Sequence, residues 1–283
     1  MKEKIALLVD SAMDTPPELI ELGGIFVAPL NINYRDRSYM DKIEITSKEV
    51  YDRIDIELPK TSLPSISYIQ DLIVQIKEQG YDKILCMSIS SNLSGTHNAL
   101  RLALEEHPEI ESFIVDTKSI GGGAGIQAAY MKIEIDKGLP FSELKIVAAE
   151  LPQKGKVFFS MATLEYLKKG GRIGLVTSII GSALHLNPII SCNEDGIYHT
   201  VGKARGRKKG LSKLMNCVEK TIGDAEQYDL AISYGTDLEE ANQLMEKMKE
   251  SFSKYRYFYI DEVSPVLGVY SGPDFIGVSV LPI

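Results

Sequence analysis

Ile5-Ala6-Leu7-Leu8-Val9-Asp10-Ser11 is a run of five apolar residues closed by a carboxylate and a hydroxyl. A short run without polar alternation suits a strand covered on both faces, as in a parallel sheet, and the polar pair marks its C-terminal end. The same texture returns at Ile84-Leu85-Cys86-Met87-Ser88 and at Phe113-Ile114-Val115-Asp116. Helical periodicity follows each, from Gly95 to Leu104 and from the glycine run Gly121 to Gly125 as far as about Lys137. Strand, loop and helix repeated in that order predict a mostly parallel sheet flanked by helices, the kind that takes ligands beyond the carboxyl ends of its strands.

Between these units, Pro16-Pro17 opens a short helix and Ile25 to Asn33 reads as a second strand. Thr46-Ser47 caps a helix running through Ile54, with Glu49 in its first turn. After Leu151-Pro152-Gln153-Lys154-Gly155 the pattern changes. Val157 to Met161 reads as a strand, Leu175 to Leu184 as an apolar helix, and Pro188 to Ser191 with Ile197 to Val201 as a hairpin turned at Glu194-Asp195-Gly196. A helix from Gly210 to Ile222, a strand at Leu230 to Ser233, an amphipathic helix from Leu238 to Ser251 and strands near Tyr257 and Gly277 complete the chain. The expectation is an α/β protein of two lobes: residues 1–153 forming a mostly parallel sheet flanked by helices, and residues 154–283 an α+β lobe.

Of 283 residues, 44% are hydrophobic and 25% charged, ordinary globular proportions that exclude a largely disordered chain. The net charge of -8 argues against nucleic acid as a partner, because phosphate-backbone binding draws on Lys and Arg. Cys86, Cys192 and Cys217 are widely spaced, so neither a disulfide framework nor a zinc site is expected. The N-terminus has no signal-peptide pattern and no uncharged run reaches 18 residues, which points to a cytoplasmic location.

Six stretches could carry chemistry. In Thr61-Ser62-Leu63-Pro64-Ser65, adjacent hydroxyls on a proline-stiffened loop suit an anionic head group, although a helix N-cap would use the same residues. Ser90 to Thr96 places four hydroxyls where a strand meets a helix N-terminus, which suits an anion or a plain solvated turn. Asp116 to Gly125 lacks the Gly-Lys-Ser/Thr ending of a phosphate loop and the placement of a dinucleotide fingerprint, so close helix packing accounts better for its glycines. In Leu164 to Gly174 the cations Lys168 and Lys169 complement a helix C-terminus, which leaves Arg172 unexplained. Lys203-Ala204-Arg205-Gly206-Arg207-Lys208-Lys209 is a basic run on an acidic chain, either a solvated face or a docking patch. Val266 to Asp274 adds the hydroxyls of Tyr270 and Ser271. His97, His107, His185 and His199 are scattered, and neither a zinc-protease motif nor a nucleophile elbow occurs, so no catalytic residues and no metal are expected.

Thr61-Ser62-Leu63-Pro64-Ser65, Ser91-Asn92-Leu93-Ser94-Gly95-Thr96, Gly170-Gly171-Arg172-Ile173 and Gly268-Val269-Tyr270-Ser271-Gly272-Pro273, in this order, resemble the DegV family, and Val9-Asp10-Ser11 and Lys203-Ala204-Arg205 fit it too. The resemblance spans nearly the whole chain. It implies two α/β lobes with one long-chain fatty acid buried between them, and a non-catalytic subunit that presents the carboxylate to a separate kinase. ATP and Mg²⁺ would then belong to that partner, and loading with lipid would involve transient membrane contact. By the same resemblance Thr61 and Ser94 hydrogen-bond the carboxylate, Ser62, Ser91, Tyr270 and Ser271 lie close by, and Arg172 and Arg205 meet the kinase. The chain departs from the family where Tyr270 stands for a common His and Asp274 for a common Gly. A phenol donates a hydrogen bond but does not become cationic near neutral pH. Two other readings stay open: a ketone-binding subunit like that of dihydroxyacetone kinase, for which His97 is the nearby candidate, and a nucleotide-dependent oxidoreductase, which the glycine pattern disfavours.

Overall fold

The computed structural model describes residues 3–179 and 186–283. In the first part of the chain β1 (Ile5–Asp10), α1 (Pro17–Glu21), β2 (Ile25–Ala28), β3 (Asn31–Asn33), β4 (Ser38–Met40), α2 (Ser47–Arg53), β5 (Lys60–Ser62), α3 (Ile66–Glu78), β6 (Lys83–Ser88), α4 (Thr96–Glu105), β7 (Glu111–Asp116), α5 (Gly122–Lys137) and α6 (Phe141–Lys154) follow one another. The second part comprises β8 (Lys156–Ser160), α7 (Glu165–Lys169), β9 (Leu186–Cys192), β10 (Tyr198–Arg205), α8 (Arg207–Ile222), β11 (Tyr228–Tyr234), α9 (Leu238–Ser251), β12 (Tyr255–Glu262), α10 (Pro265–Ser271) and β13 (Ile276–Pro282). None of the described helices is long and apolar enough to cross a membrane.

The expected parallel sheet is present, in the order β2-β1-β6-β7 with every neighbour parallel. A second sheet of six strands, β10-β9-β8-β13-β11-β12, is mixed, and β4-β3-β5 form a small antiparallel sheet. In β1, Ala6 and Leu8 face α3 and α4 through Ile69, Ile73 and Leu100, while Leu7 and Val9 face the opposite way. The second sheet mirrors this: Phe158, Leu230 and Val278 pack against α8 and α9 through Leu214, Val218 and Leu244. The inner faces of both sheets share one core with α5 and α6. The layers are therefore helix, sheet, helix, sheet, helix.

The middle layer explains the glycine run. Helix α5 is buried at every residue from Gly122 to Ala129, so it must approach backbone on one side and a sheet on the other. A Cβ at Gly125 would collide with the backbone carbonyls of Met13 and Asp14. No side chain fits at that crossing.

Two expectations need correction. The strand expected over Ile25 to Asn33 breaks after Ala28, because Pro29 has no N–H and the Leu30 N–H donates instead to Ser11 Oγ at 3.0 Å. The chain thereby leaves the parallel sheet and enters the small one. The apolar helix expected over Leu175 to Leu184 begins as a 3-10 helix, Gly174–Ile179, and residues 180–185 lie outside the described residues. Gly171 and Gly174 both take left-handed φ, 74° and 57°, which turns the chain sharply just before this segment.

Asp10 joins the strand ends. Its Oδ1 accepts the Ala12 N–H at 3.0 Å and its Oδ2 the Ile89 N–H at 2.8 Å, tying the loop after β1 to the loop after β6. Burial is the largest influence on this carboxyl and raises its pKa from 3.8 to about 7, against the opposing pull of those two amides. The native state holds this proton up to about pH 7, whereas the unfolded chain releases it near 3.8, so the group's contribution to stability falls as pH rises through that window.

Two outcomes are expected. Gly125→Ala should lower stability by about 1–3 kcal/mol, read as a reduced urea midpoint at unchanged slope, since the methyl group overpacks a backbone crossing. The stability advantage of wild type over Asp10→Asn should shrink between about pH 5 and about pH 8. Equal differences at the two pH values would contradict the stated environment of Asp10.

Candidate functional site

Three segments distant in sequence converge beyond the carboxyl ends of the parallel strands. The first is β5, whose register with β3 sets Thr61 opposite Ile32. Strand pleating turns alternate residues to opposite faces, so Thr61 borders the cavity while Ser62 is turned outward, its Oγ accepting from Asn33 Nδ2 at 3.1 Å.

The second segment is the loop between β6 and α4. Ser94 borders the same cavity and its Oγ also accepts the Thr96 N–H at 3.2 Å, with Thr96 Oγ1 at 2.8 Å. Ser91 is exposed, and its N–H donates to Asp116 Oδ1 at 3.2 Å. Asp116 also pairs with Lys118 at 2.9 Å. Asn92 Nδ2 donates to the Asp195 carbonyl at 2.7 Å, resting the β9–β10 turn on this loop.

The third is α10, a helix where the sequence suggested only a hydroxyl-bearing segment. It carries Tyr270 to the cavity, and the Tyr270 hydroxyl lies 2.5 Å from Thr61 Oγ1 across 209 residues of sequence. Two close approaches seat the helix: a Cβ at Gly170 would strike the Tyr270 ring, and one at Gly272 would strike the Tyr166 ring. The Gly170-Gly171 turn also brings Arg172 round, so that its guanidinium stands 5.4 Å from the Tyr270 ring centre and Nη1 donates to the Gly170 carbonyl at 2.8 Å.

The resulting cavity is narrow, about 40 Å³, and is lined by Thr61, Ser94, Arg172 and Tyr270 at its polar side and by Leu30, Ile89 and Leu93 among its apolar walls. A second cavity, also of about 40 Å³, adjoins it, sharing Ile120, Tyr198, Leu267 and Tyr270. Its walls are largely apolar, with Val157, Phe159, Met161, Leu167 and Phe275 prominent, and Ser271 belongs here, its Oγ donating to the Gly272 carbonyl at 3.3 Å. Among the described residues neither wall contains a carboxylate or an imidazole. The arrangement offers hydroxyl donors to an anion with an apolar slot behind it.

Of the residues singled out in the sequence, Thr61, Ser94, Tyr270 and Arg172 thus share one cavity, Ser271 borders the next, and Ser62 and Ser91 border neither. Arg205 is exposed at the end of β10. Within the basic run Arg207 is engaged by Glu240, at 2.8 and 2.9 Å from Nε, and by the Asp274 carbonyl, leaving Lys203, Arg205, Lys208 and Lys209 exposed. His97 contacts Ser88 Oγ through Nδ1 at 3.0 Å, half-buried and outside both cavity walls; burial lowers its pKa. Tyr198, whose phenol burial pushes upward, was missed, because nothing in Ile197 to Val201 says which face turns inward. Besides Asp10, which closes the first apolar run, the carboxylates Asp14 and Asp41 are buried, and the sequence offers no signal for them, since only Ala12-Met13 and Tyr39-Met40 precede them.

Comparison with known proteins concerns the family and the fold as a whole. The family model described as "Uncharacterised protein, DegV family" matches residues 4–282. A DegV domain-containing protein of Clostridium acetobutylicum is 38% identical over 281 residues, 99% of each chain. The fold matches a fatty-acid-binding DegV family protein of Thermus thermophilus with a TM-score of 0.92 at 28% identity, covering 99% of this chain and 100% of that one. It also matches the fatty acid kinase (Fak) B3 protein of Streptococcus pneumoniae, loaded with linoleic acid, with a TM-score of 0.85 over 99% and 100% of the two chains; at 22% identity this likeness concerns the fold alone. The chain belongs to the DegV family.

Proposed function

We propose that this protein binds one long-chain fatty acid, buries the acyl tail between an N-terminal lobe (1–153) and a C-terminal lobe (154–283), and presents the carboxylate to a separate ATP-dependent kinase subunit. The observation that carries this reading is the pairing of a hydroxyl-lined cavity with an adjoining apolar one through shared walls. The fatty acid named for the Thermus thermophilus relative supports the ligand class. In this role Thr61, Ser94 and Tyr270 orient the head group, Ser271 flanks the tail, and Ser62 and Ser91 act only through the loops that hold their neighbours.

The energetics divide along the same line. About 15 methylenes withdrawn from water at roughly 0.8 kcal/mol each supply on the order of 12 kcal/mol gross, whereas a neutral hydroxyl contributes about 1 kcal/mol net. Affinity resides in the tail and direction in the head. A carboxylate held by hydroxyls keeps lone pairs free to attack the terminal phosphorus of ATP, forming the acyl phosphate as the bond to the departing ADP breaks, and Arg172 at the rim with Arg205 on the exposed hairpin would face the kinase. Such a subunit has no catalytic group, metal or nucleic-acid partner of its own; it would work in the cytoplasm and meet membranes only to load lipid.

Native mass spectrometry of the purified protein should detect a noncovalent long-chain acid. A covalent adduct on His97 would instead favour the ketone-binding reading, against which stands the direction of that ring toward Ser88. Tyr270→Phe should fold normally and weaken palmitate binding about fivefold, the equivalent of one neutral hydrogen bond, and Thr61→Ala should behave alike. Unchanged binding and unchanged acyl-phosphate formation with a cognate kinase in both variants would remove these residues from the head-group site.

A further inference from the structure

A set of buried polar groups on the approach to α10 lies outside both cavity walls. Asp14, Asp41 and Ser47 are each buried, and each holds backbone of the segment that leads into α10. Asp14 Oδ1 accepts the Ser264 N–H at 3.2 Å, Asp41 Oδ1 accepts the Val266 N–H at 2.9 Å, and Ser47 Oγ donates to the Val263 carbonyl at 2.7 Å. Lys42 is the nearby cation, 3.0 Å from Asp14 Oδ1 and 3.9 Å from Asp261 Oδ2.

From this grip we infer that Asp14, Asp41 and Ser47 are positioning residues for fatty-acid retention: they fix the start of α10 and thereby set where Leu267 and Tyr270 stand between the two cavities. The inference rests on the fatty-acid-binding reading. Its geometry is direct, because Leu267 follows the clamped Val266 and Tyr270 lies one turn further on, and both line both cavities. The opposite flank of α10 leans on α2 and α7 through side-chain packing, Gly268 against the Tyr51 ring and Gly272 against the Tyr166 ring. Hydrogen bonds fix direction as well as distance, which side-chain packing alone does not.

The chemistry of the clamp argues for a positional task over a purely stabilising one. Two carboxylates withdrawn from water beside a single ammonium are costly, and burial pushes Asp14 upward and Asp41 up to about 6. Apolar residues of similar volume would hold two layers together at less cost, but they would not dictate the height of one backbone segment.

The test follows release of radiolabelled palmitate from the full chain to phosphatidylcholine vesicles, together with thermal unfolding of the delipidated protein. Asp41→Ala should speed release about tenfold, the equivalent of one hydrogen bond to a charged acceptor, while Asp41→Asn, whose amide oxygen can still accept the Val266 N–H, should return the rate to within about twofold of wild type. Ser47→Ala should accelerate release in the same direction and decides the matter if Asp41→Ala does not fold. Release at the wild-type rate from every variant that folds overturns the inference, even if the unfolding temperature drops. Wild type that takes up no palmitate overturns the fatty-acid reading and this inference with it.

Discussion

The structure depends on a helix whose first half has no solvent face. Helix α5 lies between two sheets that each need an apolar partner, and its N-terminal glycines let it approach the backbone after β1 on one side and the second sheet on the other. A helical segment without a polar face is stable only when enclosed. Its enclosure is what makes one core out of two sheets, and both cavities open where that enclosure ends, around Ile120 and Gly121.

Much of the fold could be read from short apolar runs. The strands β1 and β6 are buried on both faces, and an unbroken apolar stretch is what such burial requires, while β7 at the sheet edge is partly covered. The capped helix α2 was readable for a local reason too, since Thr46 and Glu49 form the reciprocal pair that the residue types advertise. Beyond reach were β4 and β5, each three residues long and stabilised only by neighbours, and the departure of the chain from the parallel sheet at Pro29, which depends on a hydroxyl at Ser11. Helix α6 also escaped notice, because its apolar face is defined by a layer that the local pattern does not reveal.

The candidate site was half readable for a similar reason. Hydroxyls clustered beyond strand ends pointed to the right loops, but the side of the chain on which each hydroxyl emerges is decided by pairing partners. Thr61 and Ser62 are adjacent and chemically alike, yet the ladder with β3 turns one toward the cavity and the other toward Asn33. The clamp on α10 was harder still, since Asp14 and Asp41 meet Ser264 and Val266 across more than two hundred residues of chain.

The bond between Thr61 and Tyr270 couples two ends of the chain. A hydroxyl withdrawn from water costs free energy unless it finds a partner. Here a three-residue strand and a seven-residue helix, 209 residues apart, each supply what the other lacks. A shift of either element is therefore felt by the other, and two of the smallest pieces of the fold keep one another in register.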